Sequence, residues 1–259
     1  MFSTRLWWSR QPYLQLAMVY TWSMTLPATL AVLSNVCRRH VILCAVFAVA
    51  VALSVAAAVR PTFPGDLWIS QHFQGFESTW LTRYMKAWTM LGEMGPLAVG
   101  VACAMALLFL RGYRVDSLFL PMGAAGYLVS LPVKVMVGRP RPSSDLVYVF
   151  YHETSKSFPS GHAFAAALIL GALFYVADHL FGPRRWVIVS ARVLLVCGIL
   201  SIAASRIYLG EHWMSDVLGG LLLGGLTLFL VVRAFDTSLR WYDARWRRPA
   251  ILADKPRSR

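Results

Sequence analysis

Three short polar segments carry the residues whose types and spacing could do chemistry. Their sequences are KVMVGRPRP, SFPSGHA and SRIYLGEHWMSD, and each lies beside a long apolar stretch. The residues that we single out as candidates are Lys134, Arg141, Ser160, Gly161, His162, Arg206, His212 and Asp216. Several cations beside two histidines and a carboxylate are typical of a site that binds a phosphoryl group and transfers it.

The three cations of this set are suited to bind the phosphate. Lys134, Arg141 and Arg206 match the charge and the oxygen atoms of a phosphoryl group, and each arginine can give two parallel hydrogen bonds. Lys134 alone has a simpler interpretation, because a lysine at the end of a membrane helix commonly reaches the headgroup region. The segments contain no carboxylate cluster suited to a two-metal site. We therefore predict a site without a metal or any other cofactor.

The two histidines and Asp216 divide the chemical steps between them. A spacing of four residues would put His212 and Asp216 on one helical face, where the carboxylate can orient the imidazole as a nucleophile. His162 can give a proton to the leaving group. Ser160 and Gly161 precede an apolar helix whose first amides can bind an anion, although a serine in this position is usually only a helix cap.

The elements that must position these residues are membrane helices. Of the 259 residues, 58% are hydrophobic and only 14% are charged, against about 25% charged residues in a soluble domain. Six stretches approach the roughly 20 apolar residues that a spanning helix needs. They are residues 41–59, 90–110, 118–137, 163–180, 186–204 and 217–232. The predicted fold is all-α, a polytopic helical bundle with six transmembrane helices.

Arginines beside the short loops set the predicted orientation. Pairs of arginines flank alternate loops, and the chain after residue 232 is densely basic. Since arginines are retained preferentially on the cytoplasmic side, both termini are expected in the cytoplasm. Loops 60–89, 138–162 and 205–216 then lie outside, and every candidate residue is in or beside one of them. We predict a multi-pass protein of the bacterial inner membrane with its active site on the periplasmic face.

Two other segments each allow two interpretations. Residues 13–33 are apolar enough for a seventh span, but their prolines and aromatic residues favour an interfacial helix. Residues 65–80 alternate large apolar and polar side chains, which predicts an amphipathic helix on the outer surface, with a plain loop as the alternative. We divide the chain into an N-terminal cytoplasmic or interfacial segment (1–40), a six-span domain (41–235) and a basic cytoplasmic tail (236–259).

Charge, cysteines and glycines bear on the partners. The formal net charge is +13, but the arginines cluster at the ends of apolar stretches. We therefore expect the lipid bilayer and a membrane lipid substrate as partners, and no nucleic acid. The four cysteines lack CxxC spacing, which indicates neither a disulfide framework nor a zinc site. The GxxxG spacing of Gly220 and Gly224 favours packing within the chain over a dimer interface and leaves the oligomeric state open.

The three polar segments resemble, in order, the signature blocks of the type 2 phosphatidic acid phosphatase family, which is related to vanadium haloperoxidases. The resemblance is close from residue 134 to residue 216 and loose over the six-span layout. It implies a metal-independent phosphatase with His212 as the nucleophile, Asp216 as its partner and His162 as the acid. The phosphate would be bound by Lys134, Arg141, Ser160, Gly161 and Arg206.

Two positions depart from this family pattern, and several functions remain open. Glu211 and Met214 stand where family members more often have an apolar residue and a proline, which affects the expected substrate more than the chemistry. The lipid could be phosphatidic acid, phosphatidylglycerol phosphate, an isoprenyl diphosphate or a lipid A phosphate. The alternatives to hydrolysis are transfer of the phosphoryl group to a second hydroxyl and a non-catalytic lipid transporter.

Overall fold

The computed structural model describes residues 26–181 and 184–242, and within them it contains helices and loops but no β-strand. The helices, in chain order, are α1 (Leu26–Val59), α2 (Asp66–Gln74), α3 (Thr79–Leu91), α4 (Met94–Leu110), α5 (Arg114–Val137), α6 (Gly161–Tyr175), α7 (Ala177–Phe181), α8 (Arg185–Tyr208) and α9 (Met214–Tyr242). Helix α5 includes a 3-10 turn at Gly126–Val129, and α6 includes a π-helical segment at Ala166–Leu170. The all-α prediction is confirmed for this part of the chain.

Four of these helices are long and apolar enough to cross a membrane, namely Val41–Val59 within α1, and α5, α8 and α9. Helices α3 and α4 would together make a fifth span, with a bend of 60° between them. Helix α6 is apolar but shorter than a spanning helix. The chain is a multi-pass membrane protein. Within residues 26–181 and 184–242, helix length and composition give four spans, or five if α3 and α4 form one span, where the sequence predicts six.

The bend between α3 and α4 interrupts the span predicted at residues 90–110. Gly92 stands at the bend, where a Cβ atom would lie 2.8 Å from Cγ2 of Ile202 and 3.2 Å from Cδ2 of His162. Pro96 lies in the first turn of α4, where a residue without an N–H group removes no hydrogen bond from the helix. A glycine followed by this proline therefore ends one helix and begins another directly beside His162.

Helix α2 confirms the helix predicted within residues 65–80, although it ends at Gln74 and a separate helix, α3, begins at Thr79. Asp66 and Ser70 are buried, whereas Trp68 and Phe73 are 66% and 37% exposed. The polar face of α2 therefore points into the protein and the aromatic face points outward. Aromatic side chains in this position suit the headgroup region of a bilayer. The loop expected over residues 60–89 thus consists largely of two helices.

The apolar packing holds α6 against its neighbours. The largest core cluster joins α4, α5, α6, α7 and α9. Glycines of α9 permit close approach to α6, since a Cβ atom at Gly220 would lie 2.6 Å from the backbone oxygen of Ser160. A Cβ atom at Gly224 would lie 2.6 Å from the backbone oxygen of Phe164. The GxxxG spacing is thus used for packing within the chain, as predicted.

Some of the predicted segments lie outside the described residues. The interfacial segment predicted at residues 13–33 falls largely on residues 1–25, and most of the basic tail falls on residues 243–259. The chain divides into two compact units, Met1–Val49 and Ala50–Arg259. Every residue of the site described below belongs to the second unit.

Candidate active site

A buried ion network around Arg139 joins three separate parts of the chain. Arg139 is 1% exposed and forms ion pairs with Asp66 of α2 at 2.8 Å and with Asp216 of α9 at 2.5 Å. Its guanidinium also donates to Oγ of Ser215 at 2.7 Å and to the backbone oxygen of Pro61 at 3.1 Å. Buried charges are tolerated only when they are paired in this way. The network therefore fixes where α9 begins relative to α2 and to the loop after α5.

His212 lies in the turn before α9, so the prediction that it shares a helical face with Asp216 is wrong in this detail. The Trp213 N–H donates to Oδ2 of Asp216 at 2.9 Å, and this carboxylate thereby caps a helix that begins at Met214. Nδ1 of His212 is 3.7 Å from Oδ2 of Asp216, beyond hydrogen-bond distance. Ser157 closes this gap, since its Oγ lies 3.3 Å from Nδ1 and donates to Oδ2 at 2.5 Å.

The other ring nitrogen of His212 faces Arg141. Nε2 of His212 lies 3.2 Å from Nη1 of Arg141. These contacts assign the ring proton to Nδ1, because Nδ1 faces an oxygen atom and Nε2 faces a donor. Burial lowers the pKa of His212 well below its usual range, and the positive charges of Arg141 and Arg206 lower that pKa further. His212 is therefore a neutral imidazole with its Nε2 lone pair directed at a guanidinium.

Each nitrogen atom of Arg141 has a partner. Nε donates to the backbone oxygen of Ser155 at 2.8 Å, and Nη1 donates to the backbone oxygen of Glu211 at 2.9 Å. Nη2 donates to Oγ of Ser155 at 2.8 Å and to Oε2 of Glu153 at 2.5 Å. The guanidinium is thus held in one orientation beside Nε2 of His212.

Arg206 stands near the end of α8 and is 1% exposed. Its Nη1 donates to Oγ1 of Thr89, which is on α3, and its Nη2 donates to Oε2 of Glu211. Oε1 of Glu153 lies 3.5 Å from the same Nη2. Glu153 therefore contacts the guanidinium groups of both Arg141 and Arg206 with its two carboxylate oxygens.

Glu153 is an ionised carboxylate at the edge of this cluster. Its side chain is 41% exposed, whereas that of Arg206 is 2% exposed. Partial burial by itself raises the pKa of the Glu153 carboxyl, but the positive charges of Arg141 and Arg206 outweigh burial, and the pKa is lowered. The carboxylate thus carries its negative charge at neutral pH, among the cations predicted to bind phosphate.

The remaining predicted residues border the same space. Lys134, near the end of α5, is partly buried and lies within electrostatic range of Arg141 and Arg206. His162, in the first turn of α6, lies within electrostatic range of Arg206 and His212. The structure therefore brings together the three cations and two histidines that the sequence singled out.

Ser160 and Gly161 form the start of α6. Ser160 is fully buried with an extended backbone, and its N–H donates to the backbone oxygen of Asp216 at 3.0 Å. Its hydroxyl makes no capping hydrogen bond to α6, so the simple helix-cap interpretation of this serine is wrong. Gly161 approaches Tyr127 closely, since a Cβ atom there would lie 2.9 Å from the phenolic oxygen.

Several buried polar atoms of this cluster have no hydrogen-bond partner among the described residues. They are Oγ of Ser160, Nε2 of His162, Nε of Arg206 and Oε1 of Glu211. A buried polar group without a partner is destabilising, and such groups concentrate at functional sites. The donors among these atoms could be satisfied by the oxygen atoms of a phosphoryl group.

Metal ligands do not assemble in the part of the chain that the structure describes. No group of three or more His, Cys, Asp or Glu side chains there could hold a metal ion. The carboxylates near His212 are instead paired with arginines. Cys44, Cys103 and Cys197 are free thiols.

Sequence reasoning missed several residues that the structure adds to the site. Arg139, Asp66, Thr89, Glu153 and Ser157 are not among the candidates that the sequence indicates. Asp66 pairs with Arg139 across 73 positions, and Thr89 bonds to Arg206 across 117 positions, so no local spacing reveals them. Ser157 gave a local signal, because it stands in the SFPSGHA segment.

Comparisons with known proteins identify a family of membrane phosphatases that this chain resembles. The sequence model of the PAP2 superfamily matches residues 117–240, a range that includes every predicted site residue. The chain is 33% identical over 169 residues to phosphatidylglycerophosphatase B of Bacillus subtilis, and the match covers 62% of this chain and 78% of that protein. It is 29% identical over 179 residues to the lipid A 1-phosphatase of Rhizobium etli, covering 66% of this chain and 71% of that protein.

A solved structure is also similar. It is the crystal structure of a transmembrane PAP2-type phosphatidylglycerolphosphate phosphatase from Bacillus subtilis, with a TM-score of 0.66 and 28% sequence identity. The superposition covers 76% of this chain and 96% of the other. Sequence and fold therefore both resemble those of one group of membrane phosphatases.

Proposed function

Because the chain belongs to the PAP2 superfamily of type 2 phosphatidic acid phosphatases, we propose that it hydrolyses a lipid phosphate through a phosphohistidine on His212. Its reaction class is that of a phosphoric ester hydrolase. One observation carries the proposal: Nε2 of His212 faces Arg141 at 3.2 Å, while Nδ1 faces Ser157 at 3.3 Å. A neutral imidazole held in this way has its reactive lone pair directed into the anion-binding cluster.

The first chemical step forms the phosphohistidine. Nε2 of His212 attacks phosphorus, and the bond between phosphorus and the lipid oxygen breaks. His162, protonated in the presence of the anionic substrate, gives its proton to the leaving oxygen. Asp216 holds the proton on Nδ1 of His212 through Ser157, which stabilises the positive charge that develops on the ring.

The second step restores the enzyme. Water attacks the phosphorus atom of the phosphohistidine, and neutral His162 accepts a proton from that water. The bond between phosphorus and Nε2 breaks, which releases inorganic phosphate and leaves His212 neutral. Each histidine thus returns to its starting protonation state after one turnover.

The phosphate is bound by Lys134, Arg141 and Arg206 together with the hydroxyl of Ser160 and the amide of Gly161. Cations and amides fixed before the reaction stabilise the equatorial oxygens in the transition state, which is the main requirement of phosphoryl transfer. Nε of Arg206 and Oγ of Ser160 support this assignment, because they have no hydrogen-bond partner within the described part of the chain. We propose that these groups replace a metal ion.

The substrate is a membrane lipid whose phosphate enters the site while its tails stay in the bilayer. The phosphatidylglycerophosphatase relative supports a glycerophospholipid phosphate such as phosphatidylglycerol phosphate or phosphatidic acid, and an isoprenyl diphosphate presents a similar group. In the proposed topology, six spans place both termini in the cytoplasm and the site on the outer face. A cysteine at Ser144 that a membrane-impermeant reagent labels only after cell lysis would contradict that orientation.

The test is phosphate release by the purified protein from a panel of lipid phosphates, with and without a chelator. Activity on at least one lipid, unchanged by the chelator, is the expected result. His212→Ala should abolish release, whereas His152→Ala is the matched control because His152 is exposed. Turnover by His212→Ala at the wild-type rate would reject the mechanism, and activity that requires added Mg²⁺ would reject the metal-free site.

A further inference from the structure

The carboxylate of Glu153 already bridges the two arginines that the proposed function assigns to the phosphate. Oε2 accepts from Nη2 of Arg141 at 2.5 Å, and Oε1 lies 3.5 Å from Nη2 of Arg206. Glu153 also lies within electrostatic range of Lys134 and His162. A single anionic group of this chain therefore contacts or faces every cation of the proposed phosphate site.

Arg141 can bind a substrate oxygen only if one of its present partners leaves. Two of those partners are backbone carbonyls, of Ser155 and Glu211, which the chain holds in place. Glu153 differs from them, because its carboxylate ends a flexible side chain that is 41% exposed. Its second contact, with Arg206, is at the limit of hydrogen-bond distance. Glu153 is thus the partner that can be displaced at the lowest cost.

We propose that Glu153 is a specificity-determining residue, an internal anion that occupies the arginine pair until the phosphate of a lipid displaces it. This inference rests on the proposed function and names a property of the same site. Glu153 competes with every phosphate that approaches, including the inorganic phosphate that hydrolysis releases. It thereby favours ligands that have a second source of binding free energy.

The lipid tails are that second source. A tethered carboxylate competes at a high effective concentration, so a small free anion must be abundant to displace it. A lipid phosphate is already confined to the membrane by its tails, and its phosphate meets the site at a high local concentration. Displacing the carboxylate costs both ligands the same free energy, but the lipid phosphate at its high local concentration still occupies the site, whereas dilute free phosphate does not. The carboxylate also promotes release of the product.

The direct test measures inorganic phosphate binding without turnover, from the concentration that half-saturates thermal stabilisation of the detergent-purified protein. Glu153→Gln keeps the shape of the side chain and removes its charge. Its half-saturating phosphate concentration should fall about tenfold relative to wild type, the scale of one charge-assisted hydrogen bond. Asp145→Asn is the matched control, because Asp145 is an exposed carboxylate on the same loop, and it should bind phosphate as the wild type does.

The direction of the change in phosphate binding distinguishes a competing role of Glu153 from a structural one. If Glu153 only holds Arg141 in place, Glu153→Gln will bind phosphate more weakly or equally, and the proposal is rejected. An equal gain in Asp145→Asn would assign the effect to general surface charge and reject it too. Glu153→Ala, which also removes the hydrogen-bond acceptor, should show the same gain as Glu153→Gln. Phosphate binding is measured without catalysis. An absence of lipid turnover would therefore reject the proposed function, but the effect of Glu153→Gln on phosphate binding could still be interpreted.

Discussion

Arg139 and Arg141 stand two residues apart and belong to two different kinds of polar cluster. Arg139 is buried and ion-paired with Asp66 and Asp216. Arg141 shares its guanidinium between backbone oxygens and the partly exposed carboxylate of Glu153, and it touches His212. The first cluster has permanent partners, whereas the second has one partner that can be displaced.

The difference shows how burial and partners assign roles to identical side chains. A guanidinium with two buried carboxylates fixes the positions of α2 and α9, and its charge is already balanced by those carboxylates. A guanidinium with a displaceable partner can exchange it for a phosphate. We therefore expect substitutions in the Arg139 cluster to change stability first and substitutions in the Arg141 cluster to change turnover first.

The largest expected effect is on stability, from Arg139→Met. Removing this arginine leaves the carboxylates of Asp66 and Asp216 buried without their partner, a change that typically costs about 3–5 kcal/mol. Thermal unfolding of the purified protein, followed by circular dichroism, should show a large fall in the unfolding temperature. Arg83→Ala, at an exposed position, is the control and should unfold near the wild-type temperature. A wild-type unfolding temperature in Arg139→Met would remove the distinction between the clusters.

Arg141→Ala should lower turnover strongly and stability only a little, the opposite of Arg139→Met. Loss of one preorganised donor to a developing negative charge typically lowers kcat by about 10² to 10³. Its main ion-pair partner, Glu153, is partly exposed and can be solvated, so the unfolding temperature should fall much less than in Arg139→Met. Steady-state phosphate release and thermal unfolding of the same samples check both parts. A variant that is severely destabilised yet fully active per folded molecule would contradict the assignment.

Ser157→Ala tests the link between the two clusters, since Ser157 joins Asp216 to His212. Without its hydroxyl, Nδ1 of His212 faces a carboxylate oxygen at 3.7 Å, too far for a good hydrogen bond. We expect kcat to fall about tenfold, the scale of one hydrogen bond, with little change in KM. A large rise in KM at constant kcat would instead give Ser157 a role in substrate binding.

The smallest expected effect concerns the protonation of His212, whose imidazole ring should not titrate in the range of an ordinary histidine. Burial and the charges of Arg141 and Arg206 lower the pKa of His212 well below its usual range, so the ring should stay neutral at pH values where an ordinary histidine is mostly protonated. Because the unfolded chain takes up this proton first, the contribution of His212 to stability declines as pH falls below about 6.5. Nitrogen NMR of histidine-labelled protein across this pH range checks this, with His212→Ala to assign the His212 signal. Titration of His212 near pH 6.5 would contradict the buried, cation-flanked site.

Much of the candidate site could be predicted from the sequence, because its residues lie in three compact segments. Lys134, Arg141, His162, Arg206 and His212 are all found together in the structure. The hydrophobic pattern likewise predicted the all-α membrane fold and most of the long helices. Local spacing and apolar length are sufficient for predictions of this kind.

The remaining features depend on contacts between distant residues. Asp66 meets Ser215 across 149 positions, and no periodicity in either helix indicates that contact. The bend at Gly92 was hidden by a continuous apolar stretch, because hydropathy does not distinguish a straight helix from two helices that meet at an angle. Glu153 lies in a loop that Gln74 helps to position. The side-chain amide of Gln74 donates hydrogen bonds to the backbone oxygens of Tyr148, in that loop, and of Tyr208. A carboxylate among cations is visible only once that loop is in place.

The most direct test of the account is to identify the atom that carries the phosphoryl group. His162→Ala slows proton transfer to the leaving group and from water, so a substrate with a good leaving group should leave the phosphorylated enzyme as the main species. Rapid quenching under alkaline conditions, digestion and mass spectrometry then locate the phosphoryl group. We expect the phosphoryl group on His212 alone, and we expect none when Ala replaces His212 as well. A phosphoryl group on any other residue, or a burst of lipid alcohol without phosphorylated enzyme, would contradict the proposed mechanism.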